Sequence, residues 1–256
     1  MISPLATVEP GARVPESCFV GPGCVVGPEV ELGEACRLDA HVVVSGPARL
    51  GARNHIFPFN SIGLAPQDIT YRDEPTRLEM GDDNTVREFC TLHRGTVKGG
   101  GVTRIGSHNL IMAYSHIAHD CQVGSHIIMA NGSTLGGHVT VGDHATLGAL
   151  SPIHQYVRVG AYAYLGGGTI TTQDVLPFAI TSEKRENHAY GANTIGLKRQ
   201  GFSRERIAAL EQAFRLLLQS GLNTSQAVER IRAEVLTEDT QVLLDFLARS
   251  QRGVIK

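Results

Sequence analysis

The sequence predicts a parallel β-helix followed by a small α-helical domain. An aliphatic residue recurs at every sixth position, and a second lane two residues earlier holds mostly small residues such as Ala6 and Cys18. Neither a helix nor an alternating strand repeats every six residues, but short strands winding in a triangular coil of about 18 residues per turn do. The first stretch of the aliphatic lane comprises Ile2, Val8, Val14, Val20, Val26, Leu32, Leu38, Val44, Leu50, Ile56 and Ile62.

Two segments interrupt this lane. It resumes at Met80 and, after a slip of one residue, continues to Leu165. Before Met80 the lane falls on Asp68, whose carboxylate cannot face an apolar interior, so we expect a loop near 63–79. A glycine-rich segment predicts a second loop near 93–104. Loops inserted into a rigid solenoid usually lie on one functional face.

The last part of the chain changes to a helical period. We expect the coil to occupy residues 1–190 and a helical domain to occupy 191–256. Ser203 is the predicted N-cap of the first long helix, Gly221 ends it, and a second helix starts near Thr224. The apolar positions of three successive helices are Ile207, Leu210, Phe214 and Leu217, then Val228, Ile231 and Val235, then Val242, Leu243, Phe246 and Leu247.

Composition excludes several functional classes. The formal net charge is −2 and the pI is about 6.6, which gives no sign of a nucleic-acid-binding protein. No run approaches the roughly 20 apolar residues of a membrane span, and the first residues do not resemble a signal peptide. The five cysteines form no CxxC pair, so they predict reduced thiols in a cytoplasmic protein, with the lane cysteines filling small interior positions.

The stretch SHIAHDCQVG carries the most chemistry. The stacking of the coil turns decides which side chains meet, because residues one turn apart lie about 4.8 Å apart on neighbouring strands. The predicted stacking gives two adjacent columns, one of His119, Gly137 and Gln155 and the other of Asp120, His138 and Tyr156. A base, a backbone without a side chain and nearby polar groups suit acyl transfer.

A metal site is the alternative interpretation of these histidines. His116 and His119 form an HxxH pair, which on a strand points the two rings to opposite sides. The equally spaced His108, His126 and His144 are expected at stacked corners of the coil. The sequence therefore predicts no metal.

Several motifs along the chain closely resemble those of the UDP-N-acetylglucosamine O-acyltransferase family. They are EPTR (74–77), TLHRGTVKGGG (91–101), SHIAHDC (115–121), HQY (154–156) and LKRQGFSRE (197–205). The resemblance implies a left-handed, hexapeptide-repeat coil and a homotrimer with active sites between neighbouring subunits. It further implies transfer of a 3-hydroxyacyl group from acyl carrier protein to the 3-hydroxyl of UDP-N-acetylglucosamine, the first step of lipid A biosynthesis. No cofactor is implied, since the donor is carried on the phosphopantetheine of the carrier.

The resemblance also implies residue roles. His119 would be the general base, Asp120 would support it, and the backbone of Gly137 would stabilise the oxyanion. Gly167 would set acyl length, with glycine typical of long chains, and the more basic than acidic helical domain would dock the acidic carrier. The remaining substrate-binding residues would be Gln67, Asp68, His93, His116, His138, His154 and Gln155 around the acyl-transfer site, with Asn193 and Arg199 contacting the nucleotide.

Three positions depart from the family pattern and leave the acceptor open. Thr70 stands where lysine is usual, Ile195 where glutamate is usual and Gln200 where arginine is common. A 3-amino sugar nucleotide, giving an amide product, is therefore an alternative acceptor. A zinc-dependent hexapeptide carbonic anhydrase and a non-enzymatic scaffold are further alternatives, against which the acyltransferase motifs argue.

Overall fold

The computed structural model describes residues 1–181 and 188–255 and has the predicted architecture. Short strands wind as a left-handed coil with a triangular cross-section, and each side of the triangle is one sheet of parallel strands, to which one antiparallel strand is added at the end of the first sheet. A helical domain follows the coil. No helix in the described ranges is both long and apolar enough to cross a membrane.

The chain visits the three sheets in turn. The first sheet contains β2 (Phe19–Val20), β5 (Arg37–Leu38), β8 (His55–Ile56), β11 (Thr85–Val86), β14 (Leu110–Ile111), β17 (Ile128–Met129), β20 (Thr146–Leu147), β23 (Tyr164–Leu165), β24 (Ala179–Thr181) and β25 (Ala189–Ala192). The second contains β1 (Thr7–Val8), β3 (Val25–Val26), β6 (Val43–Val44), β9 (Ser61–Leu64), β12 (Thr91–His93), β15 (His116–Ile117), β18 (Thr134–Leu135) and β21 (Pro152–Ile153). The third contains β4 (Val30–Leu32), β7 (Ala48–Leu50), β10 (Arg77–Met80), β13 (Val102–Ile105), β16 (Gln122–Val123), β19 (Thr140–Val141) and β22 (Arg158–Val159).

The aliphatic lane forms the core, as predicted. From Val20 to Leu165 every lane residue is at most 5% exposed, whereas Ile2 in the terminal turn is 47% exposed. The terminal turn has a neighbour on one side only, which explains its exposure. All five cysteines are buried in the small-residue lane. Burial raises the pKa of the Cys90 thiol to about 11 and that of Cys121 to about 12.

The corners of the coil use left-handed backbone even where the residue is not glycine. His108, His126 and His144 have φ of 59°, 59° and 60°, and their rings stack at 4.9 and 4.6 Å between centroids. Left-handed φ costs a non-glycine residue energy, and ring stacking between turns offsets part of it. The prediction that these histidines are corner residues is confirmed.

Both predicted loops leave the coil at the same corner. The first loop (65–76) connects β9 to β10, and the second loop (94–101) connects β12 to β13, so each joins the second sheet to the third. The second loop contains a short 3₁₀-helix, Val97–Gly99. Because this loop adds residues to its turn, Thr91 pairs with His116, a larger sequence offset than the regular repeat gives.

The coil ends later than the lane suggests, and its end is irregular. Val175 still bridges to Val159 beyond Leu165, the last residue of the predicted lane, and β25 then pairs antiparallel with β24. The helices are α1 (Thr194–Arg199), α2 (Arg204–Leu218), α3 (Thr224–Glu234) and α4 (Glu238–Arg249). Ser203 caps α2 as predicted, whereas α1 and β25 were not predicted.

Candidate functional site

His119 and Asp120 form a hydrogen-bonded pair at the corner where the two loops emerge. Successive turns of the coil place Asp120, His138 and Tyr156 at this corner. His119 Nδ1 lies 2.8 Å from Asp120 Oδ2. The imidazole is 16% exposed and the carboxylate is fully buried. A carboxylate in this position holds Nδ1 as the N–H donor, which leaves Nε2 as the acceptor.

The second loop satisfies the buried carboxylate of Asp120. The backbone N–H of Thr96 donates to Oδ1 at 2.8 Å, and the Thr96 hydroxyl donates to Oδ2 at 2.6 Å. Gly99 packs directly on the carboxylate, since a Cβ there would lie 2.0 Å from Asp120 Cγ. Burial pushes the pKa of Asp120 upward, but hydrogen bonds from His119 and Thr96 outweigh burial and hold that pKa below its ordinary value.

Gly137 lies directly beneath the His119 ring. A Cβ on Gly137 would lie 2.5 Å from His119 Cε1 and 2.8 Å from Nε2, so the absence of a side chain makes room for the imidazole. The Gly137 carbonyl accepts a hydrogen bond from Tyr156 N at 3.0 Å. Within residues 1–181 and 188–255 no acceptor faces the Gly137 N–H, which is therefore available to a ligand. The predicted column is confirmed.

His138 completes a cluster whose atoms have the composition of a metal site. His138 Nε2 lies 3.7 Å from Asp120 Oδ2, and its ring stacks on Tyr156 at 4.4 Å. His119, Asp120 and His138 each offer an atom within 4.8 Å of the others. However, the Asp120 oxygens already accept three hydrogen bonds, from His119 and from the two Thr96 donors, so hydrogen bonding accounts for this cluster. Burial lowers the pKa of His138, although Asp120 partly opposes this, and the depressed pKa favours neutral imidazole.

His93 and His116 lie next to each other on the paired strands β12 and β15. Their rings meet edge to face at 5.0 Å, and His116 Nδ1 lies 2.6 Å from Thr91 Oγ1. His93 is 5% exposed, and its Nδ1 has no hydrogen-bond partner among the described atoms. Burial, aided by His116 and His119, lowers the pKa of His93 to about 4, so His93 is neutral near pH 7. Burial likewise lowers the pKa of His116.

The first loop is held over the site by polar contacts. Asp68 Oδ1 accepts hydrogen bonds from the backbone N–H and the hydroxyl of Thr70, both at 2.8 Å. These bonds, with smaller contributions from Lys98 and His119, lower the pKa of Asp68. The Arg94 Nε donates to Tyr71 OH at 2.9 Å and fixes the far side of the loop. Gln67 is exposed on the same loop.

The polar line continues two turns below His119. His154 and Gln155 are exposed, and Arg252 from the C-terminal segment donates to the Gln155 carbonyl at 2.9 Å. At Gly167 a Cβ would meet Ala149 O at 3.4 Å, an ordinary contact. Space for a side chain at Gly167 therefore exists, and glycine leaves that space open.

Asn193 and Arg199 lie elsewhere in the single chain. They line a cavity of about 500 Å³ on the first sheet, together with Ile195 and Gln200. The Asn193 side chain caps α1 by accepting from Gly196 N at 3.1 Å. One chain therefore brings the His119 residues together on one side and the predicted nucleotide residues together on another.

Sequence reasoning did not identify Thr96, Arg94 and Lys98. Thr96 holds Asp120, and Arg94 and Lys98 both bind the first loop. All three belong to the second loop, which has no periodicity, so the stacking rule gives no position for them. The one signal for them was the interruption of the lane by the segment HRGTVKGGG, which contains all three residues.

Comparison with known proteins gives matches along the whole chain. Residues 174–255 match the family described as Udp N-acetylglucosamine O-acyltransferase, Domain 2, and residues 103–137 match the bacterial transferase hexapeptide repeat. The chain is 45% identical over 256 residues to the acyl-[acyl-carrier-protein]–UDP-N-acetylglucosamine O-acyltransferase of Syntrophobacter fumaroxidans, covering 100% of this chain and 99% of that relative.

Solved structures of similar proteins have the same fold over their full length. LpxA from Acinetobacter baumannii is 42% identical with a TM-score of 0.96, and the alignment covers 100% of this chain and 99% of that one. The UDP-N-acetylglucosamine O-acyltransferase from Moraxella catarrhalis is 39% identical, with the same TM-score of 0.96 and the same coverage of 100% and 99%.

Proposed function

The chain belongs to the UDP-N-acetylglucosamine O-acyltransferase family, and from this premise we propose how it works. It transfers a 3-hydroxyacyl group from acyl carrier protein to the 3-hydroxyl of UDP-N-acetylglucosamine, in the first step of lipid A biosynthesis. The observation that carries the proposal is the His119–Asp120 pair over the open backbone of Gly137. The hydroxyl acceptor follows the names of the relatives, which are O-acyltransferases.

His119 acts as the general base. Asp120 holds the Nδ1–H, so the Nε2 lone pair takes the proton from the sugar 3-hydroxyl as its oxygen attacks the thioester carbonyl. Collapse of the tetrahedral intermediate breaks the C–S bond and forms the ester. The imidazolium returns its proton to the departing pantetheine sulfur, so the enzyme ends the cycle unchanged. Asp120, with its depressed pKa, stays ionised and stabilises the imidazolium in between.

Gly137 stabilises the developing negative charge. Its N–H faces no acceptor in the described structure and lies next to the His119 ring. A backbone donor in this place binds the oxyanion better than the carbonyl, and such donors typically contribute roughly 10²- to 10³-fold in kcat.

The neutral histidines and Asp68 bind the substrates. His93, His116 and His138 have pKa values lowered by burial, so they present uncharged polar edges to the acyl and sugar groups. Gln67 and Asp68 on the first loop contact the acceptor and the acyl 3-hydroxyl, and Gly167 leaves room for a long chain. His154 and Gln155 line the path of the donor arm.

We propose a homotrimer in the cytoplasm, with acyl carrier protein as its transient partner. Asn193 and Arg199 are separated from His119 within one chain. An active site that uses both groups takes them from neighbouring subunits, which supports the trimer. Light scattering coupled to gel filtration is expected to give the mass of three chains, and a monomer with full activity would contradict this arrangement.

The direct test is turnover of the purified protein. UDP-N-acetylglucosamine and a series of 3-hydroxyacyl carrier proteins are supplied, and products are identified by mass. We expect an ester product, and His119→Ala lowers kcat by roughly 10²- to 10⁴-fold. His126→Ala, at the stacked corner histidines, is the matched control and keeps near wild-type turnover. Equal activity of both variants would rule out His119 as the base.

A further inference from the structure

Lys98 lies next to Gly99 and two residues after Thr96, and these two residues contact the Asp120 carboxylate. It is the central residue of the 3₁₀-helix Val97–Gly99. The N-cap of this helix, Thr96, donates to both Asp120 oxygens, and Gly99 packs against the same carboxylate. The backbone of Lys98 is therefore fixed relative to the His119–Asp120 pair, although its side chain is exposed.

The ammonium of Lys98 points toward the first loop. Its Nζ donates to Thr70 Oγ1 at 2.7 Å, and Thr70 in turn donates twice to Asp68. The charges of Lys98 and His119 both help to lower the pKa of Asp68, so both groups lie within electrostatic range of that carboxylate. An ammonium has three N–H donors, and the bond to Thr70 uses one of them.

Arg94 is the other cation that the second loop offers, but two of its three guanidinium nitrogens already donate to the protein. Nε donates to Tyr71 OH at 2.9 Å, and one terminal nitrogen donates to the carbonyl of Gly46 at 2.6 Å. Arg94 therefore fastens the first loop to the coil. Lys98 has donors to spare at the rim of the site.

The acceptor brings negative charge to this rim. In UDP-N-acetylglucosamine the diphosphate is attached to the sugar ring whose 3-hydroxyl His119 deprotonates, so only one ring separates the reacting oxygen from the phosphates. We propose that Lys98 is a substrate-binding residue that contacts the diphosphate of the sugar nucleotide. This inference rests on the proposed function, since it takes the acceptor from it.

The test measures binding rather than turnover. Lys98→Met keeps the approximate length of the side chain and removes its charge. The charge-matched control is Arg230→Met, on the exposed face of α3, where Arg230 pairs with Glu234. Calorimetry with UDP-N-acetylglucosamine is expected to show Kd raised by about 10-fold in Lys98→Met, a value for a partly exposed charged contact. The loss shrinks at high salt, and Arg230→Met binds normally.

Binding of uridine, measured by ligand-observed NMR, distinguishes loss of the Lys98 charge from structural damage to the site. It lacks phosphate, so its affinity is expected to be equal in the wild type and in Lys98→Met. A structural role for Lys98 would weaken uridine and the sugar nucleotide alike and would overturn the proposal. A lysine placed at the partner position, in the double variant Thr70→Lys with Lys98→Met, returns an ammonium to the same place and is expected to recover most of the lost affinity.

The two proposals fail differently. Wild-type protein that does not bind UDP-N-acetylglucosamine would refute the proposed function and this inference together. Wild-type binding with an unchanged Kd in Lys98→Met would refute this inference alone.

Discussion

Replacing Gly137 by alanine tests the site geometry most directly. The added Cβ would lie 2.5 Å from His119 Cε1, 2.8 Å from Nε2 and 3.1 Å from Nδ1. Carbon atoms in contact sit about 3.5–4.0 Å apart, so the ring must move by ~1 Å. Its bond to Asp120, now 2.8 Å, would then stretch to ~3.8 Å, which is no longer a hydrogen bond.

We expect kcat to fall by roughly 10²-fold, because an error of ~1 Å in a reacting group has about that effect. Stability should change little. Gly137 does not use a left-handed φ, and the displaced ring is partly exposed and free to move outward. Steady-state kinetics and thermal melting of the same sample measure both quantities.

Gly27→Ala is the matched control. Gly27 comes one residue after β3 and Gly137 comes two residues after β18, both strands of the second sheet. Gly27 lies several turns away, and a Cβ there would meet Val44 O at 3.5 Å, an ordinary contact. It should keep wild-type kcat. A folded Gly137→Ala enzyme with kcat within about threefold of wild type would refute the argument that the glycine makes room for the base.

Three further predictions follow from the charges in the site. Asp120→Asn should lower kcat by roughly 10²- to 10⁴-fold. Because the folded pKa of Asp120 is depressed, the stability that wild type gains from the carboxylate should be present above about pH 4 and be lost as the pH falls through that folded pKa. If urea unfolding gave the same stability difference between the two proteins at every pH in this range, the reasoning would be wrong. His93 is held neutral down to a pKa of about 4 against 6.5 when unfolded, so wild type should lose stability relative to His93→Gln as the pH falls from 6.5 toward 4; an unchanged difference between pH 7.5 and pH 5 would contradict this. Dialysis against a chelator should leave turnover unchanged. If each chain held one metal ion tightly and lost activity when it was removed, the cluster of His119, Asp120 and His138 would be a metal site rather than a hydrogen-bonded group.

The sequence was most informative where the chain repeats. Because each turn copies the one before, the aliphatic lane was predicted inside and His119 was predicted next to Gly137, and the structure confirms these positions. The same periodicity predicted stacked corner rings at His108 and His126.

Periodicity failed where the chain leaves the coil. The support of Asp120 comes from Thr96, and this contact depends on how the second loop folds back, which no repeat specifies. The helix α1 and the antiparallel strand β25 were missed for a related reason: they are short, and tertiary contacts rather than a hydrophobic pattern fix them. The division of the chain at residue 190 remains a prediction.

The buried cysteines make the native protein unreactive toward thiol-labelling reagents. Thiols react as thiolates, and all five lie inside the coil, where burial raises the pKa of Cys90 to about 11 and that of Cys121 to about 12. A single cysteine introduced on the exposed first loop would then be the site that a maleimide dye modifies, without removal of any native thiol. Loop movement over His119 thus becomes observable by fluorescence in an otherwise unaltered chain.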